Sequence, residues 1–278
     1  MRPLLSIVIA LVLWTAPSYA QRPPAKRVPA NPFILGVVDT IRSATLQETR
    51  KLNIYLPDGY TKQTAASYPV IYLLDGSRDE DFIHIVGLVQ FMTMIQAMPA
   101  SIVVGIGNVD RKRDFTFPTT IAKDKQDYPT TGSSEKFRTF LQQELQPFVQ
   151  QKYSSNTTTT IIGQSLGGLV ATEILLKQPD LFSRYIIISP SLWWDKESLL
   201  AAAPALLAQQ PDHLRQVYIS VGTEGAQMEQ DAKMLTDLLK KAGNKNLTVH
   251  YVPLPEENHL TILHHSVYKA FEVLNAKK

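Results

Sequence analysis

A serine flanked by glycines, Gly163-Gln164-Ser165-Leu166-Gly167, lies inside the run GQSLGG at 163–168. It falls where a β-branched stretch, TTTTIIGQ, gives way to a helix-length apolar segment. A serine hydroxyl becomes a nucleophile when a base takes its proton, and a sharp strand-to-helix turn lifts it above a sheet edge where a substrate can reach it. The neighbouring glycines suit the tight closure of such a turn. Gly-x-Ser-x-Gly by itself arises by chance in chains of this size. The additional Gly168 and the strand-before, helix-after context make Ser165 a candidate nucleophile rather than a solvent-facing turn serine.

His259, in PEENHL, follows the last strand-like run and precedes the last helical one. A base is expected there in the chain order serine, acid, histidine. The other five histidines are read as structural or surface residues. His84 falls in a helix, His213 in a connection and His250 in a strand; His264 and His265 are adjacent in the last helix, point in different directions and make a poor metal pair. Three carboxylates compete for the acid. Glu224 directly follows QVYISVGT and is preferred by position, with Asp231 and Asp195 as alternatives. Attack on an ester carbonyl develops negative charge on oxygen, which two backbone N–H groups would meet. The expected donors are Leu166, directly after the nucleophile, and Ser77 in the turn LLDGS.

These residues need a scaffold that brings strand ends together. From Ile34 onward, short β-type runs alternate with helix-length segments, and eight strands are expected. The first two, near 35–46 and 50–56, follow each other closely and predict an antiparallel pair. YPVIYLLDG, SIVVGIG, TTTTIIGQ, YIIIS, QVYISVG and LTVHYVPL then alternate with helical segments. The series predicts an α/β fold with a mostly parallel sheet and helices on both faces. The helix SEKFRTFLQQELQPFVQQKY is expected to bend at Pro147. Residues 108–132 read as a long functional loop bordering Ser165. Arg111 and Arg113 from this loop, with Trp193 and Trp194 after YIIIS, are candidate substrate-binding residues. Arg111 is expected to be free for an anionic or catecholate group. The plain alternative is that an arginine pairs with Asp114 and the tryptophans belong to the core.

The chain opens MRPLLSIVIALVLWTAPSYAQ, with an early arginine, an apolar run too short to span a bilayer, and a small-x-small site ending at Ala20. This predicts a signal peptide over 1–20, cleavage before Gln21, and a periplasmic or extracellular protein without a membrane span. The proline-rich stretch 21–33 reads as an extended leader and 34–278 as one catalytic domain. The chain has no cysteine, which excludes thiol catalysis and Cys-ligated zinc. A formal charge of +3 without a basic stripe argues against a nucleic-acid partner. No phosphate-binding loop or zinc spacing is present.

YLPDGY at 55–60, YPVIYLLDG at 68–76, GIGNVDRKRDFT at 105–116, GQSLGG, SPSLWWD at 189–195, VGTE at 221–224 and ENHLTI at 257–262 together give a resemblance. From Leu35 on, the chain resembles the esterase D-like branch of the α/β hydrolases, which includes siderophore esterases, S-formylglutathione hydrolases, feruloyl esterases and mycolyltransferases. Within that branch it is most similar to the periplasmic siderophore-esterase-like members. The resemblance implies an α/β-hydrolase fold and cofactor-free cleavage of a small-molecule ester through an acyl-enzyme on Ser165. It places Glu224 at the position of the acid. Arg111 stands where siderophore esterases would meet their substrate. Two positions depart from the branch: Gln164 stands where many relatives have histidine, and Phe117 interrupts the DFTP pattern as DFTFP. Transfer of the acyl group to a sugar or lipid alcohol is the alternative within the fold, and a non-catalytic binding protein the alternative outside it.

Overall fold

The computed structural model describes residues 31–276 apart from 155 and 212, so the signal segment at 1–20 and most of the leader at 21–33 lie outside the described residues. Strand β1 (Val37–Ser43) and strand β2 (Glu48–Tyr55) form the expected antiparallel pair, with Val37 opposite Ile54. β3 (Val70–Leu73), β4 (Ile102–Ile106), β5 (Thr159–Gln164), β6 (Arg184–Ile188), β7 (Arg215–Ser220) and β8 (Leu247–Tyr251) follow. The sheet order is β1-β2-β4-β3-β5-β6-β7-β8; β2 meets β4 antiparallel, and from β4 to β8 every pairing is parallel. β3 and β4 are wholly buried, which explains why their sequences lack the polar alternation of a half-exposed strand.

Two apolar cores sandwich the sheet. On one face α1 (Phe82–Met94) and α9 (Ile262–Leu274) bring Val86, Val89, Val267 and Phe271 against Ile71, Val103 and Ile186. His84 of α1 and His264 of α9 stack across the seam between these helices, ring centroids 3.3 Å apart. On the other face α4 (Ser134–Phe140), α5 (Gln146–Lys152), α6 (Leu166–Lys177), α7 (Trp194–Leu207) and α8 (Ala226–Lys241) cover Tyr72, Val104, Ile161 and Ile187. The bend expected at Pro147 takes the form of a π turn, Leu141–Leu145, between α4 and α5. Widening the helix by one residue accommodates the proline ring and its missing N–H.

Residues 108–132 are not the structureless loop that their composition suggests. They contain α2 (Arg111–Phe115) and α3 (Ala122–Asp127), and Asp110 caps α2 by accepting from the Arg113 N–H at 3.0 Å. Below α2, Arg50 and Asp114 are both fully buried and ion-paired, and Glu48 joins Arg50 at 2.5 Å. At the start of α7, Asp195, Lys196 and Glu197 take left-handed φ values of 50°, 52° and 60° before the regular helix begins.

The strand order reverses between β3 and β5. Connections leave in opposite directions there, which opens a crevice beyond the carboxyl ends of the two strands. The turn after β5, at Ser165 and Leu166, opens onto a cavity there.

Candidate active site

β5 ends at Gln164, and Ser165 stands between it and α6 with φ 58° and ψ −120°. A side chain enters this region only at a steric cost, so the turn is held by its surroundings. Its tightness is visible at Gly163, where a Cβ would come within 2.3 Å of the Gly167 carbonyl oxygen. The Ser165 N–H donates to Ile188 O at 3.1 Å, and Ser165 Oγ lies 3.3 Å from Ser191 Oγ. Leu166, the first residue of α6, borders the same space, so its N–H belongs to the positive end of a helix dipole.

Ser165 and His259 open onto one cavity of about 860 Å³, together with Arg111, Lys112, Tyr128, Ser191 and Trp193. His259 Nδ1 meets Glu224 Oε2 at 2.5 Å. Glu224 is 2% exposed at its side chain, and its Oε1 accepts from Ser189 Oγ at 2.5 Å and from the Gly222 N–H at 3.0 Å. Burial alone would push the Glu224 carboxyl up, but the bonds from His259, Ser189 and Gly222 outweigh it and hold the group below the usual carboxylate range. Gln164 Nε2 donates to the His259 carbonyl at 2.6 Å, tying the serine turn directly to the histidine loop. The residue that departs from the family pattern thus has a definite partner.

Of the three candidate acids, Glu224 is the one bonded to His259 among the described residues. Asp195 instead accepts from Thr119 Oγ1 at 2.9 Å and the Thr120 N–H at 2.8 Å, fastening α7 to the segment before α3. Asp231 is buried in α8 with Oδ2 unpartnered, and burial, assisted by Glu197, pushes it up to about 6.

Other expected positions need correction. Ser77 lies apart from Ser165, in a separate groove with Lys51, Asn53 and Asn108, and its N–H donates to Glu80 Oε2 at 3.2 Å. The cause is local: Asp75 adopts φ 52° and the Gly76 N–H bonds to Ile106 O at 3.1 Å, which carries the chain toward β4. Arg113 bonds Asp114 at 2.8 Å and Glu48 at 2.9 Å and does not border the cavity. Trp194 is fully buried, with Nε1 donating to Phe117 O at 2.9 Å, while Trp193 does border the cavity. Arg111 borders it too but is not free. Its Nε and Nη2 grip Asp75 at 2.7 and 2.9 Å, and Nη2 also donates to Gln164 O at 3.2 Å.

Sequence reasoning passed over Lys112, Tyr128, Ser189 and Ser191. Lys112 Nζ lies 4.8 Å from the Tyr128 ring centroid and donates to Asp127 O at 3.1 Å; no carboxylate pairs with it among the described residues. Its place beside Arg111 in RKRDF was the available signal.

The "Putative esterase" family model matches residues 43–268. The chain belongs to this esterase family. It is thus a carboxylic-ester hydrolase with the α/β-hydrolase fold. The ferri-bacillibactin esterase BesA of Bacillus subtilis (strain 168) is 27% identical to this esterase over 84% of this chain and 88% of its own. Among solved structures, an IroE-like serine hydrolase from Shewanella oneidensis superposes with a TM-score of 0.78 at 29% identity, covering 86% of this chain and 79% of that one. The BES protein from Bacillus cereus gives 0.76 at 25% identity, covering 88% and 97%.

Proposed function

We propose that this esterase is an exported serine hydrolase that acts on anionic aromatic esters, siderophore-type lactones among them, through an acyl-enzyme on Ser165. The observation that carries the reading is the cavity shared by Ser165 and His259, with His259 backed by Glu224 at 2.5 Å. In this mechanism His259 takes the Ser165 proton as Oγ attacks the ester carbonyl, then gives it to the leaving alcohol. Water, deprotonated by the same imidazole, releases the acid in the second half. Glu224 fixes the tautomer and stabilises the imidazolium, and the Leu166 N–H meets the developing oxyanion.

The substrate class is supported by the cavity wall, where Lys112 stands with Tyr128 and Trp193, a cation beside two aromatic rings and a set suited to a charged aromatic group. It agrees with the substrate that names the BesA relative. Export is supported by the sequence of the first twenty residues. Among the described residues no helix is long and apolar enough to cross a membrane.

Ser165→Ala and His259→Ala are each expected to lower kcat on an activated acetate ester by about 10³-fold or more. A fluorophosphonate should label the unmodified chain at Ser165, as read by peptide mass. Retention of a tenth of the activity by Ser165→Ala would reject the nucleophile. N-terminal sequencing of exported material is expected to begin at Gln21.

A further inference from the structure

Two serines that the mechanism does not use lie on one turn between the proposed nucleophile and the proposed acid. After β6 the chain turns through Ser189, Pro190 and Ser191. Ser189 is fully buried with φ 41°, a left-handed conformation that glycine would adopt at less cost. The hydroxyl distinguishes serine from glycine here, and it donates to Glu224 Oε1 at 2.5 Å, while the Ser189 N–H is engaged by Ser220 O at 2.8 Å. With Gly222 on the same oxygen, Oε1 is filled by two neutral donors, and Oε2 is left for His259 Nδ1.

The turn is also registered against the nucleophile. Pro190 packs on Gly168, where a Cβ would come within 2.9 Å of the Pro190 Cα. The Ser191 N–H donates to Ser165 O at 3.1 Å, and Ser165 donates back to Ile188 O. One short segment therefore touches both the serine turn and the carboxylate.

We propose that Ser189 is a positioning residue for ester hydrolysis: its hydroxyl holds Glu224 with Oε2 facing the imidazole, on a turn indexed to Ser165. This rests on the assignment of Ser165, His259 and Glu224 given above. Without the hydroxyl, Oε1 keeps one donor and the carboxylate can rotate. The imidazole then loses the orientation that aims its other nitrogen at the nucleophile. Ser189 does not border the cavity, so substrate binding should be spared.

The test uses Ser189→Gly, which removes the hydroxyl and suits the φ, and Ser189→Ala, which removes the hydroxyl and keeps the strained backbone. On p-nitrophenyl acetate both should lower kcat by about 10- to 100-fold with KM within about twofold. In a Glu224→Gln background, Ser189→Gly should cost less than about twofold more, because the hydroxyl acts through that carboxylate. A Ser189→Gly enzyme with kcat within about twofold of the parent, or a loss carried undiminished into the Glu224→Gln background, would overturn the role. If either variant melts below the assay temperature, Ser189→Cys is read instead: an intermediate kcat supports the role and an unchanged one refutes it. Ser165→Ala on the same ester separates two failures. Activity lost there but kept in Ser189→Gly removes only the positioning role, whereas activity kept in Ser165→Ala removes the nucleophile and this proposal together.

Discussion

Lys112 and Arg111 are neighbours on the cavity wall, yet their charges stand in different settings. Arg111 is neutralised by a two-point grip on Asp75 and also holds the Gln164 carbonyl, so it braces the serine turn. Lys112 brings a positive charge with no carboxylate partner among the described residues. Lys112→Ala is therefore expected to lower kcat/KM on an anionic aromatic ester by about 3- to 10-fold and leave a neutral short-chain ester unchanged, while Arg111→Ala lowers both. Steady-state kinetics on the two substrates checks this, and equal losses for Lys112→Ala would remove it from substrate recognition. At this scale the sequence was most informative where chemistry restricts residue choice. The cavity shared by Ser165 and His259 and the His259–Glu224 bond were foreseeable because a glycine-flanked turn and two strand-end positions leave few candidates. Arg111 and Ser77 were misjudged because their surroundings depend on Asp75, whose φ of 52° no local pattern announces. Ser189 and Ser191 were invisible as chemistry, since a serine earns a role here only through partners distant in sequence.

Elements were legible to the extent that one period dominated them. The wholly buried β3 and β4 appeared as plain apolar runs, and the antiparallel start followed from a short spacer. The segment 108–132 defeated pattern reading because α2 is five residues long and is held by Asp110 and by the buried Arg50–Asp114 pair rather than by an apolar stripe. A similar override operates at the start of α7, where three consecutive non-glycine residues are left-handed. Each such residue carries a steric cost, and the neighbouring ties from Asp195 to Thr119 and Thr120 help to hold the turn in place. Lys196 is exposed, so Lys196→Gly is expected to stabilise the protein by about 1 kcal/mol and raise its melting temperature without changing kcat. A lower melting temperature would mean that the lysine stem contributes more than its backbone costs.

Over the whole molecule, the reversal of strand order between β3 and β5 decides where the site can be, and the two cores decide how firmly its parts are held. The Ser165 turn is embedded in the face covered by α4 to α8. The histidine loop leads instead into α9, which belongs to the other core. That second core is closed along one line by His84 and His264, face to face at 3.3 Å, with His265 nearby and Asp81 4.0 Å from His264. Burial lowers the pKa of both stacked imidazoles, with the neighbouring histidines adding to it. The unfolded chain therefore binds protons at a higher pH than the folded one, and stability falls as pH drops through the ordinary histidine value of about 6.5. Asp81 works in the opposite sense: burial, with Asp75 and Glu80 beside it, pushes it up to about 6, so its folded form holds a proton that the unfolded form releases. His264→Gln should make the change in melting temperature from pH 8 to pH 5 less destabilising than in the parent, and an unchanged pH profile would show that the stack carries no such linkage. Seen from the solvent, the seam between α1 and α9 is a proton store that opens only when it comes apart: in mild acid its two stacked imidazoles take up protons as the chain unfolds, while Asp81 gives one back.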